Sequence, residues 1–492
     1  MEMPFEKTTV RFWQQKLYTP VTKEETQELK LPESMPDIGR VIAAWGQPVV
    51  RGKEWRTGHV GVSGGVMVWV LYAPEDGSAV RRLETWVPFN ARAEHNHTGP
   101  DGVIRAECAL CGVDARSVSG RKLMLRCQVG VMVQTMTPRE ADLWNPGELP
   151  EDIQVLERTY PMVLTRETGE RTFLVDETVA LPAAARRLVY CRMTPRVTEQ
   201  KVLGSRAVFR GVGELHLLCQ DEADKLFSAD VEVPFAQYLD LEGDYEEAAE
   251  VSNLLCVTSL EAEPEDQGMR IKCGLVSQYI INAPTVVRCA EDAYSPEREL
   301  EAVESAVELP AWLDEQLRQV ELAERLAGEE VPVDAIFFPD LPMVTRQPGG
   351  AEIRVGGVFQ TLAEENGMLT GKTLRADKTV TLATDSDTIP CTWLRGSTVV
   401  RRDGGGCGLE AKMELRLDSV STRPVKMLSG IRAGERREPD PDRPSVIIRS
   451  RKGDESLWDI AKYCGSTVSA IQRLNKLESE PEENRLLLIP VI

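Results

Sequence analysis

Histidine is nearly missing from this sequence: His59, His95, His97 and His216 are the only four in 492 residues. Imidazole is the commonest metal ligand and the usual acid–base group near neutral pH, so its scarcity removes the ordinary material of both chemistries. His95 and His97 flank Asn96 in a polar stretch, Glu94 to Gly99, with no evident third ligand. Zinc wants three or four protein ligands, and a solvated loop is the simpler reading. His216 falls inside a strand-like pattern, where a structural role is simpler. Cysteine is sparse as well: 11 residues, an odd number without a dense framework, which excludes a disulfide-built secreted domain and reads as reduced thiols acting as small core hydrophobes. Cys108 and Cys111 form a lone Cys-x-x-Cys. A structural zinc site needs a second pair, which Cys127 alone does not supply.

Basic charge is in deficit. The net charge is −20 and the isoelectric point about 4.9, whereas a nucleic-acid binder shows a basic face and an anionic membrane repels an acidic surface. Nothing approaches the roughly 18 apolar residues needed to span a bilayer, and no apolar run of signal-peptide length follows the acidic start at Glu2 and Glu6. These absences predict a protein kept in a cytosol, with no nucleic-acid partner and no membrane insertion. The Gly404-Gly405-Gly406 run has no following Gly-Lys-Ser/Thr, so it reads as a hairpin turn rather than a phosphate loop. A Gly-x-Ser-x-Gly elbow is missing too. Acidic residues number 78, and no pair among them stands out for acid–base work. The expectation is a protein without catalytic residues, metal or cofactor.

What the sequence does have is a repeat. Gly65, Gly211 and Gly357 each precede an apolar run, at equal spacings of 146 residues. The first two units stay in step: Val87-Pro88-Phe89 with Val233-Pro234-Phe235, Arg126-Cys127 with Lys272-Cys273, Thr137-Pro138 with Ala283-Pro284. The third opens in step at Arg354 to Phe359, lacks the Val-Pro-Phe motif, and closes several residues early at Ala411 to Ser419. It reads as a shortened, diverged copy.

Each unit reads as β. Val66, Val68 and Val70 share one face and Met67, Trp69 and Leu71 the other, as in a strand buried on both sides. Leu123, Leu125, Cys127, Val129, Val131 and Val133 alternate with polar or small partners, as do Met269, Ile271, Cys273 and Leu275, which is period-two patterning with one wet face. Turn signals at Glu75-Asp76-Gly77 and Ser119-Gly120 punctuate the runs. Short strands with frequent turns predict sandwiches. The expected organisation is an N-terminal segment over 1–33, β units over 34–145, 165–292 and 331–430, a linker over 431–444 and a module over 445–492. Trp144 to Pro150 reads as a break, and the acidic stretch Glu297 to Glu330 as a connection with helical character between Trp312 and Ala327. Pro439, Pro441 and Pro444 among charges read as an exposed tether.

The last stretch changes period. Val446 to Ile448 make a short strand, and Ser456 with Asp459 forms a capping-box pattern. Leu457, Ile460, Ala461 and Cys464 recur at helical spacing. Gly465 stops that helix, Thr467 caps a second carrying Val468, Ile471 and Leu474, and Leu486 to Ile489 close as a strand. With Gly453-Asp454, Ser456 to Ala461, Leu474-Asn475 and Leu488-Ile489-Pro490, this βααβ pattern resembles the LysM family over about 45 residues. LysM modules bind N-acetylglucosamine polymers such as peptidoglycan or chitin in a shallow groove. The resemblance implies one wall at Gly453, Asp454, Glu455 and Ser456, and the other between Lys476 and Leu487, with Lys476, Leu477, Arg485, Leu486 and Leu487 as the residues in reach of a ligand. Glu455 looks inserted, and the second loop, Glu478 to Arg485, carries four carboxylates and lacks the family's glycine. A protein partner is therefore as good a reading of this groove as a glycan.

The units themselves resemble SPOCS domains, through Pro36-Asp37-Ile38, Val70-Leu71-Tyr72, Val87-Pro88-Phe89 and their tandem order before a C-terminal LysM. That arrangement is similar to the SipL type of spore morphogenesis protein of Firmicutes. It implies a mother-cell protein at the forespore surface that joins the coat basement-layer morphogenetic ATPase or other coat proteins. The function expected is thus a non-catalytic spore-envelope scaffold. A peptidoglycan-binding cell-envelope protein is the first alternative, and a hydrolase working through carboxylates the second.

Overall fold

Each repeat folds as a long antiparallel ribbon with a shorter sheet laid over it. The computed structural model describes residues 3–96, 102–265, 268–327, 331–383, 391–395, 398–403, 406–437, 443–453 and 455–492. Unit one comprises β1 (Phe5–Lys30), β2 (Ile38–Arg56), β3 (His59–Pro74), β4 (Arg81–Glu94), β5 (Val103–Ser119) and β6 (Lys122–Pro146). The first strand runs along the last, from Phe5 opposite Pro146 to Lys30 opposite Lys122, and β5 lies on the other edge of β6. The meander β2-β3-β4 packs over that layer. Unit two repeats the plan. Its β7 (Gln154–Ala180) pairs with β11 (Gly268–Tyr294), which carries β10 (Glu250–Glu265), under β8 (Arg187–Gln220) and β9 (Leu226–Tyr245).

In unit three, β12 (Arg298–Ala327) pairs with β19 (Gly406–Arg436), which carries β17 (Cys391–Arg395) and β18 (Thr398–Asp403). The strands β13 (Asp334–Pro339), β14 (Met343–Gln347), β15 (Gly350–Glu365) and β16 (Met368–Ala383) form its second layer.

The mainly β fold is as the alternation predicts, but its joints differ. The segment 1–33 lies inside unit one as β1, whose partner strand is more than ninety residues away in sequence. The helical character expected between Trp312 and Ala327 is overridden: that stretch is strand, paired with β19 from Trp312 opposite Ser421 to Ala327 opposite Gly406. Val320 and Leu322 are buried, as period two requires, and a full ladder of backbone bonds outweighs helix propensity worth a few tenths of a kcal/mol per residue. Strand β19 reaches Arg436, so the tether expected from 431 begins later, and residues 438–442 lie outside the described residues. So do Gly404 and Gly405, although Asp403 and Gly406 on either side are paired.

Three ribbons meet at one apolar cluster. Ala141, Val287 and Val425 are buried in it, and so are Leu143, Cys289 and Met427, with Phe12, Met162, Leu164 and Leu309 around them. Positions 141 and 143 recur 146 residues later and again 138 residues after that, so equivalent positions of the three units converge. A second, larger core runs from Leu31 through both first units to Leu362. The units are therefore fused rather than strung on tethers.

Polar contacts lock the same joints. Arg105 of unit one donates to the carbonyls of Ser252 (3.1 Å) and Gln278 (3.2 Å) of unit two. Lys53 donates to Gln278 Oε1 (2.7 Å) and pairs with Glu170. Between units two and three, His216 bridges Asp230 (2.6 Å) and Asp334 (2.7 Å). Tyr190 donates its hydroxyl to Asp334 (3.1 Å) while stacking on Trp45 of unit one at 4.6 Å. Burial alone would push the His216 imidazole down, but Asp334 and Asp230 outweigh it and hold its pKa at about 9.

The repeated glycines have a steric cause. A Cβ at Gly65 would sit 2.3 Å from the Trp86 ring, at Gly211 2.4 Å from the Phe235 ring and the Arg196 carbonyl, and at Gly357 2.5 Å from the Phe337 ring. In each unit an aromatic ring occupies the place where the Cβ would be, and only glycine leaves room for it.

Two outcomes follow. Gly211→Ala is expected to cost about 1–3 kcal/mol through overpacking, whereas Gly112→Ala, where a Cβ meets nothing within 4 Å, should leave the urea midpoint within error; equal midpoints for both variants would refute the ring-over-glycine account. The second concerns pH. The folded pKa of His216 lies above the ordinary imidazole value, so the stabilisation is complete below about pH 6.5 and disappears as pH rises through 9. Relative to His216→Asn, the natural chain should lose on the order of 3 kcal/mol between pH 6.5 and 10, and parallel stability profiles would rule this out.

Candidate functional site: the C-terminal module

Local signals place every element of this module. β20 (Val446–Ser450) pairs with β21 (Leu486–Pro490), and between them lie α1 (Leu457–Cys464) and α2 (Val468–Asn475). Ser456 caps α1 and accepts from the Asp459 amide, while Asp459 takes the Ser456 amide at 2.9 Å in return. The Ser456 hydroxyl, which donates to the Asp459 carboxylate at 2.6 Å, and then the Ser456 amide hold that carboxyl below its usual range. Gly465 ends α1 in the left-handed conformation at φ 64°, where glycine costs nothing. Thr467 caps α2. Leu457, Ile460, Ala461, Ile471, Leu487 and Ile489 make the small core.

The two expected walls do come together. Gly453 sits at the tip of an exposed turn with φ 49°, and the Glu455 amide closes that turn on the Lys452 carbonyl (3.1 Å). Glu455 pairs with Arg449. Asp454 lies outside the described residues. On the other wall, Lys476 is exposed and caps α2, and Leu477 is partly buried against the core. Arg485 is exposed, its carbonyl taken by the Arg451 amide (3.1 Å). The last two expected contacts separate: Leu487 is fully buried in the core, and Leu486 alternates to the outer face of the sheet with 69% exposure. Adjacent strand residues point to opposite faces, so these two do not share one surface.

What the sequence did not disclose is how the mouth is held. The Glu480 carboxylate accepts from the Leu457 amide at 3.1 and 3.2 Å, and Arg451 spans the gap to the Pro481 carbonyl while donating to the Glu455 carbonyl (2.6 Å). A backbone donor that opens α1, of the kind an acetamide oxygen would use, is thus already occupied by a charge-assisted bond. Only the run of four carboxylates hinted at it.

The module is also seated on unit two. Trp458 meets the Tyr294 ring edge-on at 4.7 Å and donates its indole N–H to Asp292 (2.8 Å). Lys462 reaches the same carboxylate at 2.7 and 2.8 Å, and the Tyr294 hydroxyl donates to the Ser466 carbonyl (3.0 Å). Burial pushes the Tyr294 phenol up. One signal existed: the unit-one counterparts of Asp292 and Tyr294, 146 residues earlier, are Pro146 and Glu148, so the repeat is broken where the module docks.

Other residues singled out by type have structural surroundings. Cys111 is buried on β5, where burial pushes its thiol up to about 12. His95 Nε2 lies 3.1 Å from the Arg56 carbonyl beside the Trp55 ring, and His97 lies outside the described residues. Among the described residues no helix is long and apolar enough to cross a membrane.

With this geometry in place, the family model of the LysM domain matches residues 451–481. That span holds the first wall, both helices and the Glu480–Pro481 latch. No curated protein and no solved structure matches the chain.

Asp292→Ala should leave the Trp458 indole N–H buried without a partner, at a cost of about 1–3 kcal/mol. The expected readout is faster proteolysis between β19 and β20 and a red-shifted tryptophan emission. Unchanged cleavage and emission would show that the aromatic contact alone seats the module.

Proposed function

We propose that this chain is a non-catalytic scaffold that presents one LysM module for recognition at an envelope layer. The seating of the module carries the reading. Asp292 and Tyr294 grip its α1 face, while Gly453, Lys476 and Arg485 stay exposed, which suits a rigid body offering one recognition surface in a fixed direction. Three carboxylates held in fixed hydrogen-bond networks fit the non-catalytic part. Glu167 accepts from the Glu242 and Gly243 amides and from the Tyr245 and Tyr279 hydroxyls, Asp334 is engaged by His216 and Tyr190, and Asp152 by Arg298 and Ser295. Each is engaged in binding one segment of the chain to another.

The finer reading is a spore-envelope adaptor in the mother cell, its SPOCS-like units and LysM joining the coat basement-layer ATPase to the forespore surface. It rests on the tandem arrangement and on Pro36-Asp37-Ile38 and Val87-Pro88-Phe89. The occupied mouth supports a protein partner, because Glu480 and its neighbours repel a partly anionic glycan. The second reading, peptidoglycan binding, is favoured by the LysM match itself.

Co-sedimentation with purified peptidoglycan separates them, comparing the full chain with a version ending at Pro444. The adaptor reading expects both to stay in the supernatant, and the full chain alone to capture the coat ATPase. Pelleting of the full chain but not the truncation would replace the protein partner with a glycan.

A further inference from the structure

The sheet of the LysM module has one closed edge and one open edge. Val491 donates to the Ser445 carbonyl (3.0 Å) and Arg451 to the Arg485 carbonyl (3.1 Å), and residues 446–450 pair with 490–486 in the same register. In an antiparallel pair the hydrogen-bonded residues alternate, so Ser445, Ile447, Arg449 and Arg451 bond toward β21. The backbone groups of Val446, Ile448 and Ser450 then point the other way, where no strand of the described residues pairs with them. By the same parity, the far edge of β21 belongs to Leu486, Leu488 and Pro490. That edge is shut: the Asn475 side chain takes both the amide (2.8 Å) and the carbonyl (2.6 Å) of Leu488, and Pro490 has no N–H to offer.

The open edge lacks the devices that usually keep strands apart, which are outward lysines, prolines and bulges. Its outward side chains are apolar: Val446 is 46% and Ile448 68% exposed, beside Leu488 and Leu486 on the neighbouring strand. Charge tells what fits there. Seven Lys and Arg balance seven Asp and Glu between Ser445 and Ile492, so the whole net charge of −20 lies in the rest of the chain. Net charge therefore opposes the approach of a second copy less at this neutral module than over the acidic remainder of the chain.

We propose that a second copy of this chain pairs with the open edge of β20, antiparallel and centred on Ile448. In that register Ile448 faces its own counterpart and Val446 faces Ser450, each outward-pointing pair exchanging two backbone bonds. No like charges stand opposite one another over 446–450, and Lys452 meets Pro444. The result is a four-stranded sheet across a two-fold axis, an isologous contact that closes as a dimer. It does not depend on whether the groove reads glycan or protein, since it rests on the unpaired backbone groups of Val446, Ile448 and Ser450.

The test is sedimentation equilibrium of the full chain from about 1 to about 100 µM. The mass should rise from monomer toward dimer. Ile448→Lys should weaken association at least about tenfold, while Leu174→Lys, an equally exposed apolar site on β7, should not. Hydrogen exchange at Val446, Ile448 and Ser450 should slow with concentration, while Leu488 stays unchanged. A chain that remains monomeric throughout, an Ile448→Lys variant that associates as tightly as the natural chain, or a dimer without protection at β20 would each overturn the proposal.

Discussion

Ala141, Val287 and Val425 occupy equivalent places in three successive units, and they are buried in one cluster where the three ribbons meet. A two-stranded ribbon has no stability of its own in water. The apolar residues of these ribbons leave water in two ways, against one another at this cluster and beneath the overlying sheets along the rest of their length. That requirement sets the positions of the overlying sheets and of the joints between units. Arg105, Lys53 and His216 then sit where sheets from neighbouring units abut, and their charges are tolerable because opposite charges or carbonyls from the next unit face them. The joints differ from one another, so the pseudo-symmetric centre is followed by asymmetric locks.

The readable part of this architecture was whatever repeats locally. Period-two alternation in Leu123 to Val133 and Met269 to Leu275 marked strands, and the equal spacing of Gly65, Gly211 and Gly357 marked the units. The capping box at Ser456 and Asp459 and the stop at Gly465 marked α1 to the residue. What stayed hidden was long-range. Residues 5–30 alternate weakly and have many polar members, so only the partner strand at 122–146 shows what they are. The stretch 312–327 looked helical for the same reason. Within the module, the resemblance to LysM domains placed both walls, yet the Glu480 latch and the Asp292 seat depend on side chains meeting across loops and across units, which spacing does not encode.

The third unit shows how much divergence the plan tolerates. Its closing ribbon comes eight residues early relative to the first two, yet positions 425 and 427 still reach the central cluster beside 287 and 289. The lost residues therefore came out of the overlying layer or its connections, not out of the ribbon. It also lacks the Val-Pro-Phe motif but keeps a ring over its glycine, with Phe337 from β13 serving where units one and two use Trp86 and Phe235. The physical demand for an aromatic ring against that glycine persisted while the strand that supplies the ring changed.

Such fusion changes what a LysM module can do. On a flexible tether it would search a wide volume and orient freely, and recognition would depend on effective concentration. Gripped by Asp292 and Tyr294, it has one orientation relative to the three units, with the α1 face spent on unit two and the groove mouth bridged by Arg451 and Glu480. A partner reaching the groove must displace a charge-assisted bond rather than fill an empty slot, so an acidic sugar polymer meets both repulsion and competition. A protein presenting a basic side chain would instead find Glu478, Glu482 and Glu483 still exposed at the rim. The same four carboxylates that depart from the family pattern therefore weigh against one ligand class and for another.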